Sequence, residues 1–190
     1  MKAKNTLYLR VRIATLGAPI LLFLYGLLRL IDVIVGNLSH GFAWDLGHVF
    51  FFLAFILFSS LIVGLRRLVP VKNTTTQVVT YLIMAASLFG AACFLWGILG
   101  DLFERLQAVA PVPGPLKVAG PLLFQVGILA LLIMLTAVRP RLLPVWSPIL
   151  VLTGFLLFAV NIDLLPIGAL FILIGLSPLA RRSLDNDKAR

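Results

Sequence analysis

This chain of 190 residues is 61% hydrophobic and only 12% charged, so it lacks the polar surface of a water-soluble domain, in which about 25% of residues are charged. A net charge of +9 would suggest nucleic acid as a partner of a soluble protein. Here the basic residues lie between long apolar blocks, where they set membrane topology and contact anionic lipid. Nucleic-acid binding is therefore not expected, and the composition predicts an all-α bundle of transmembrane helices in a single domain.

Six apolar segments are predicted to cross the bilayer. They cover residues 13–35, 47–65, 77–99, 121–138, 147–161 and 164–179. The first follows a basic tail, as in a secretory signal, but its apolar run is longer than a signal core and no convincing Ala-x-Ala site follows it, so we interpret it as an uncleaved span. The last two are shorter than the roughly 20 residues of an ordinary span. A re-entrant hairpin over residues 147–179 therefore stays open as the alternative to two full crossings.

Polar and proline residues indicate where several spans begin. Asn73 precedes the third span and offers a capping side chain. Gly120-Pro121 is predicted to open the fourth span, and Ser147-Pro148 the fifth. The third span also carries a series of small residues at helical spacing, which predicts a central helix that packs closely against its neighbours. These are Ala86, Gly90, Cys93, Gly97 and Gly100.

The distribution of charge predicts the orientation. Thirteen of the sixteen Lys and Arg residues fall in the two termini and in the loops after the second and fourth spans, all on one side of a six-span chain. By the positive-inside rule that side is cytoplasmic, so both termini are predicted to lie in the cytoplasm. Trp44 and Trp96 then fall near the outer interface and Trp146 near the inner one, as expected of an aromatic belt.

Most of the acidic residues and both histidines are predicted at the outer face. Five of them form a possible but disfavoured set of metal ligands. These are His40, Asp45, His48, Asp101 and Asp163. Structural roles explain them better. Asp45 and Asp163 are predicted to cap the second and sixth spans, and His40 lies in a loop. Asp101 and Glu104 have the spacing of a capping box that starts a short interfacial helix, Leu102 to Val109. We therefore expect no cofactor.

Arg29 and Asp32 differ because they lie within the outer part of the first span, three residues apart on one helix face. Charges inside a span are costly, and they usually pair and face the bundle interior. One interpretation is a local Arg29–Asp32 ion pair near the interface. The other is an outward-facing ligand or gating pocket, which Gln125 of the fourth span joins.

Three segments resemble uncharacterised small bacterial membrane proteins with several spans. They are residues 139–146 (RPRLLPVW), residues 175–182 (GLSPLARR) and residues 41–51, where a histidine opens the second span. The resemblance implies a location in the bacterial inner membrane and no particular activity.

The sequence favours a protein without enzymatic activity. Phosphate-binding loops, zinc-protease and serine-hydrolase motifs, and paired haem-ligating histidines are all absent from the sequence. The leading hypothesis is a partner subunit or a scaffold that binds a small molecule, in contact with lipid and with another membrane protein or a second copy of itself. The alternatives are a small transporter or channel with its pocket near Arg29 and Asp32, and a metal- or haem-binding protein that uses the outer histidines and carboxylates.

Overall fold

In the computed structural model the backbone is described for residues 2–35, 41–71, 73–138 and 141–188, and side chains for residues 6–34, 41–71, 73–138 and 141–181. The described chain is all-α. Its helices are α1 Lys2–Val35, α2 Phe42–Leu68, α3 Thr74–Leu102, α4 Glu104–Val109, α5 Gly114–Ala137, α6 Trp146–Val160 and α7 Leu165–Lys188, with a 3₁₀ turn at Ile162–Leu164 before α7. Among the described residues, α1, α2, α3, α5 and α7 are long and apolar enough to cross a membrane, whereas α6 has only 15 residues.

The long helices pack as antiparallel pairs, α1 with α2, α3 with α5 and α6 with α7, and the pairs are joined through α1 with α7 and α2 with α3. The course of α1 and α2 shows the antiparallel arrangement. Val11, near the start of α1, contacts Gly64 near the end of α2, while Tyr25 lies against Gly47 at the start of α2. The sixth span predicted from the sequence therefore has a counterpart in α7, and the fifth in the shorter α6.

Phenylalanine rings fill the centre of the bundle. Phe55 and Phe94 lie 4.1 Å apart between ring centroids, and Phe124 lies 5.7 Å from Phe155. Phe58 contacts both Phe124 and Phe155. These rings come from α2, α3, α5 and α6 and meet in tilted or edge-on geometries, which are favourable for aromatic pairs. Two phenylalanines of the second span, Phe55 and Phe58, thus belong to the core of the bundle.

Small residues let α3 and α5 approach closely, as the sequence indicated. A Cβ atom added at Gly90 would lie 2.5 Å from the backbone nitrogen of Phe124, and Cys93 packs against Gly120. The prediction that α3 is central is wrong, however. Only 28% of its apolar window is buried, against 39–44% in the other long helices. The reason is that large apolar side chains of α3, such as Val78, Leu82 and Phe89, lie on the surface of the bundle. Farther along the packed face, Gly97 has no neighbouring atom within 4 Å, so this face leaves α5 there and borders open space.

The α6–α7 pair is another close contact. A Cβ atom at Gly154 would lie 2.5 Å from the carbonyl oxygen of Gly168. Ser147, predicted to cap α6, instead donates its buried hydroxyl hydrogen bond to the Gly175 carbonyl of α7, and α6 begins at Trp146 without a side-chain cap. The capping prediction is wrong because the hydroxyl satisfies a carbonyl across the helix pair rather than an N–H group of its own helix.

Other helix starts also differ from the sequence prediction. Asn73 caps α3 as expected, with its side-chain oxygen accepting from the Thr76 N–H at 2.8 Å. By contrast, α5 begins at Gly114 rather than Gly120, with a proline already in its first turn, and Pro121 lies inside the helix. Pro115 takes the first-turn position that suits a proline, whereas Pro121 lies in the helix interior, where it removes one backbone hydrogen bond but is tolerated in helices that span a membrane. The second Gly-Pro pair therefore gave the wrong start.

Candidate functional site

Arg29 does not pair with Asp32. Its Nε atom lies 3.6 Å from Oδ1 of Asp163, in the turn between α6 and α7. The prediction of a local pair within α1 is wrong because the turn brings a closer carboxylate to the arginine. Asp163 was expected to cap α7, but Asn161 provides the cap of this turn by accepting from the Asp163 N–H at 2.9 Å, which leaves the Asp163 carboxylate directed at α1.

Arg29 and Asp32 do share one crevice at the start of α2, lined also by Tyr25, Trp44 and His48. Asp32 is buried, with 6% of its surface exposed. The crevice has no space for a water molecule, so it offers a ligand no volume in this conformation. Gln125 is half-buried on α5 and lines neither this crevice nor the cleft described below. The structure thus brings two of the three predicted pocket residues together, without the third.

The histidines and carboxylates that were predicted at the outer face are only partly brought together in the structure. His48 and Asp101 are neighbours, with Nε2 and Oδ2 3.9 Å apart. Asp45 is exposed in the first turn of α2, whose N-cap is Gly41, and it does not cap the helix. His40 lies outside the described residues. Within the described ranges no group of three or more His, Cys, Asp or Glu side chains is arranged to hold a metal ion.

The expected capping box is also absent. Asp101 belongs to the last turn of α3, and the N-cap of α4 is Phe103, which makes no side-chain cap hydrogen bond. Helix α4 itself, Glu104–Val109, corresponds to the predicted interfacial helix, two residues shorter at its start. Because Asp101 caps nothing, its carboxylate is free to take part in the cavity beside it.

That cavity, which we call the α3–α5 cleft, has a volume of about 310 Å³. It lies between the ends of α3 and α4, the proline-rich loop and the start of α5. Aromatic and small apolar side chains form its walls, and three polar side chains lie among them. The walls include Phe51, Cys93, Phe94, Trp96, Gly97, Val112, Leu116 and Pro121, and the polar residues are Asp101, Gln107 and Lys117.

One hydrogen bond ties the loop over this cleft to α3. The indole N–H of Trp96 donates to the carbonyl oxygen of Ala110, at 2.9 Å and across fourteen residues of chain. Helix α4 contributes no buried residue. The indole of Trp96, which also lines the cleft, thus links α3 to the wall formed by α4 and its loop.

Sequence reasoning missed the α3–α5 cleft. The small residues of α3 were interpreted as one continuous packing face, whereas the face divides: Gly90 and Cys93 contact α5, and Gly97 and Gly100 border the cleft. The available signal was Trp96 followed by Gly97, Gly100 and Asp101 at the predicted outer interface. An apolar wall with a few polar groups is the usual form of a small-molecule site.

Comparison with known proteins identifies no relative. No protein-family model matches the chain, and neither curated proteins nor solved structures show a significant match to it.

Proposed function

We propose that this chain is a non-enzymatic protein of the bacterial inner membrane that holds a small amphiphilic molecule in the α3–α5 cleft. One observation carries the proposal: a cavity of about 310 Å³ whose walls are aromatic and aliphatic and whose polar groups are Asp101, Gln107 and Lys117. A site of this kind suits a molecule with an apolar body and a polar head, because the body displaces water from apolar walls while the head keeps its polar partners.

We further propose six crossings with both termini in the cytoplasm. The Arg29–Asp163 contact supports this topology, since it lies where α1 ends and α7 begins. The first turn of α6 lies beside Gly175, because the side chain of Ser147 contacts that residue. Arg181 lies six residues farther along α7, a rise of about 9 Å. Helix α6 therefore begins about 9 Å below the level of Arg181, measured along the axis of α7. Local thinning of the bilayer or flanking polar residues can absorb such a shortfall. This topology places the α3–α5 cleft at the outer face.

A transport pathway receives less support from the described residues. The crevice beside Arg29 and Asp32 has no space for water, and the bundle centre between α2, α3, α5 and α6 is filled by phenylalanine rings. Binding in the cleft needs no such pathway.

Filling the cleft tests the proposal. Gly97 lines it, and a Cβ atom there meets nothing within 4 Å, so Gly97→Leu should occupy the cavity without displacing a helix. Gly114→Leu is the matched control, because its Cβ position is equally open and it does not line the cleft. Small amphiphiles that copurify in a nonionic detergent are extracted and quantified by mass spectrometry.

We expect the Gly97→Leu protein to lose a molecule that the native protein and the Gly114→Leu protein retain. Equal recovery of every copurifying molecule from the three proteins would overturn the proposal, provided that the three elute alike on size exclusion.

A further inference from the structure

The chemistry of the α3–α5 cleft indicates what kind of head group it accepts. Three aromatic side chains, Phe51, Phe94 and Trp96, line it together with the carboxylate of Asp101. Aromatic faces attract ammonium groups through their quadrupoles, and a carboxylate adds direct charge. Aromatic walls beside one carboxylate form a typical recognition site for an ammonium group.

The geometry of His48 leaves the Asp101 carboxylate in need of a donor. His48 Nδ1 lies 2.9 Å from the carbonyl oxygen of Trp44. A carbonyl oxygen can only accept, so Nδ1 carries a hydrogen. Nε2 lies 3.9 Å from Oδ2 of Asp101, which is too far for a hydrogen bond. The half-exposed carboxylate is therefore available to a donor or a cation in the cleft.

Lys117 favours a ligand that carries an anionic group beside its ammonium group. It lies in the first turns of α5 and lines the same cleft as Asp101. A ligand with only a positive head would be attracted by Asp101 and repelled by Lys117. A zwitterionic head, with an ammonium group next to Asp101 and an anionic group next to Lys117, satisfies both charges.

We propose that the α3–α5 cleft binds an amphiphile whose head group carries an ammonium group, received by Asp101 and the aromatic walls, and an anionic group, received by Lys117. This rests on the proposed function of the cleft. Phospholipids with an ethanolamine head have this chemistry, as do smaller zwitterionic amphiphiles. A cleft at the proposed outer interface is open to both sources.

The single cysteine of the chain provides the assay. Cys93 is 7% exposed and lines the cleft, so the rate at which a small neutral methanethiosulfonate modifies it reports whether the cleft is occupied. The protein is held in nonionic detergent and titrated with amphiphiles of equal chain length. The series is lysophosphatidylethanolamine, an alkyltrimethylammonium, lysophosphatidylglycerol and a neutral alkyl glycoside.

We expect the strongest protection of Cys93 from lysophosphatidylethanolamine, weaker protection from the alkylammonium and the least from lysophosphatidylglycerol. Cationic and anionic methanethiosulfonates extend the test. After normalisation to their rates with free cysteine, the ratio of the cationic to the anionic rate should fall about three- to tenfold in Asp101→Asn and rise in Lys117→Gln, as expected for the loss of one unit charge of either sign near the site.

Asp101→Asn should also abolish the preference for head groups that carry an ammonium group. The matched control is Asp45→Asn, which removes an exposed carboxylate of α2 that does not line the cleft and should leave the head-group preference and the ratio of reagent rates intact. Lys117→Gln should remove the advantage of the zwitterion over the alkylammonium.

The outcomes separate the two proposals. Equal protection by all four amphiphiles, or an unchanged preference in Asp101→Asn, overturns the ammonium proposal while leaving the cleft as a binding site. If no amphiphile slows modification and Gly97→Leu does not slow it either, the proposed function itself fails.

Discussion

Adding one methyl group to α3 should destabilise the protein at Gly90 but leave its stability unchanged or slightly higher at Gly97. A Cβ atom at Gly90 would lie 2.5 Å from the Phe124 nitrogen and 2.9 Å from the Phe124 Cβ atom, and it would also overlap the Gly120 carbonyl oxygen. Ordinary contacts begin at about 3.4 Å, so α3 and α5 would have to separate by about 1 Å. No side chain can rotate away, because two of the three obstructing atoms belong to the backbone of α5.

Overpacking of this kind costs about 1–3 kcal/mol, and we expect the free energy of unfolding of Gly90→Ala to be lower than that of Gly97→Ala by that amount. Gly97→Ala is the matched change, seven residues farther along α3, where the new methyl group meets nothing within 4 Å. Both substitutions restrict the unfolded backbone equally and raise helix propensity by up to about 1 kcal/mol. Gly97→Ala should therefore be neutral or slightly stabilising.

The assay is unfolding of the purified protein by increasing SDS in mixed micelles, followed by circular dichroism, for the native chain and both variants. The difference between the two variants cancels the contributions of propensity and of the unfolded chain. Equal stabilities for Gly90→Ala and Gly97→Ala would refute the close contact between α3 and α5 and, with it, the wall that α5 provides for the cleft.

Three further substitutions test other contacts in the same assay. Phe124→Ala, at the centre of the aromatic core, should cost about 3–5 kcal/mol, whereas Phe89→Ala, half-exposed on α3, should cost much less; similar losses would place the core elsewhere. Ser147→Ala removes the buried hydroxyl that donates to α7 and should cost about 0.5–2 kcal/mol, while Ser177→Ala, whose hydroxyl bonds within its own helix, should cost less. Asp163→Asn should cost no more than about 1 kcal/mol, because its ion pair with the arginine near the end of α1 is partly exposed; a loss well above that would show that the pair is essential for folding.

The sequence predicted helices that cross a membrane because its apolar blocks are as long as a bilayer-spanning helix and are interrupted by few charges. The N-cap at Asn73 was also correct, since capping depends on residues three apart. Local signals were less reliable where a polar side chain had a distant partner. Ser147 and Asp163 both occupy positions in the sequence that are typical of helix caps. Each side chain instead contacts a residue of another helix, and a local sequence pattern cannot predict such a contact.

The candidate site was predicted less well than the fold. Asp101 and His48 were both predicted at the outer face, but their proximity depends on how α2 packs against α3. The cleft depends on the point at which α3 and α5 diverge. Gly90 and Gly97 are the same residue type on the same helix face, and only the position of α5 makes one a packing contact and the other a border of open space.

The proposed six-crossing arrangement would put the cleft at the outer face of the membrane, and cysteine accessibility tests this most directly. In a Cys93→Ala background, cysteines are introduced by Val109→Cys at the end of α4, Val160→Cys at the end of α6 and Thr74→Cys at the start of α3. The two valines are 85% and 82% exposed. Spheroplasts are treated with an impermeant thiol reagent before and after permeabilisation. The account predicts labelling of Val109→Cys and Val160→Cys in intact spheroplasts, and of Thr74→Cys only after permeabilisation. Protection of Val160→Cys while Val109→Cys is labelled would mean that the α6–α7 hairpin stops within the bilayer, and labelling of Thr74→Cys from outside would invert the orientation; either result would contradict the account.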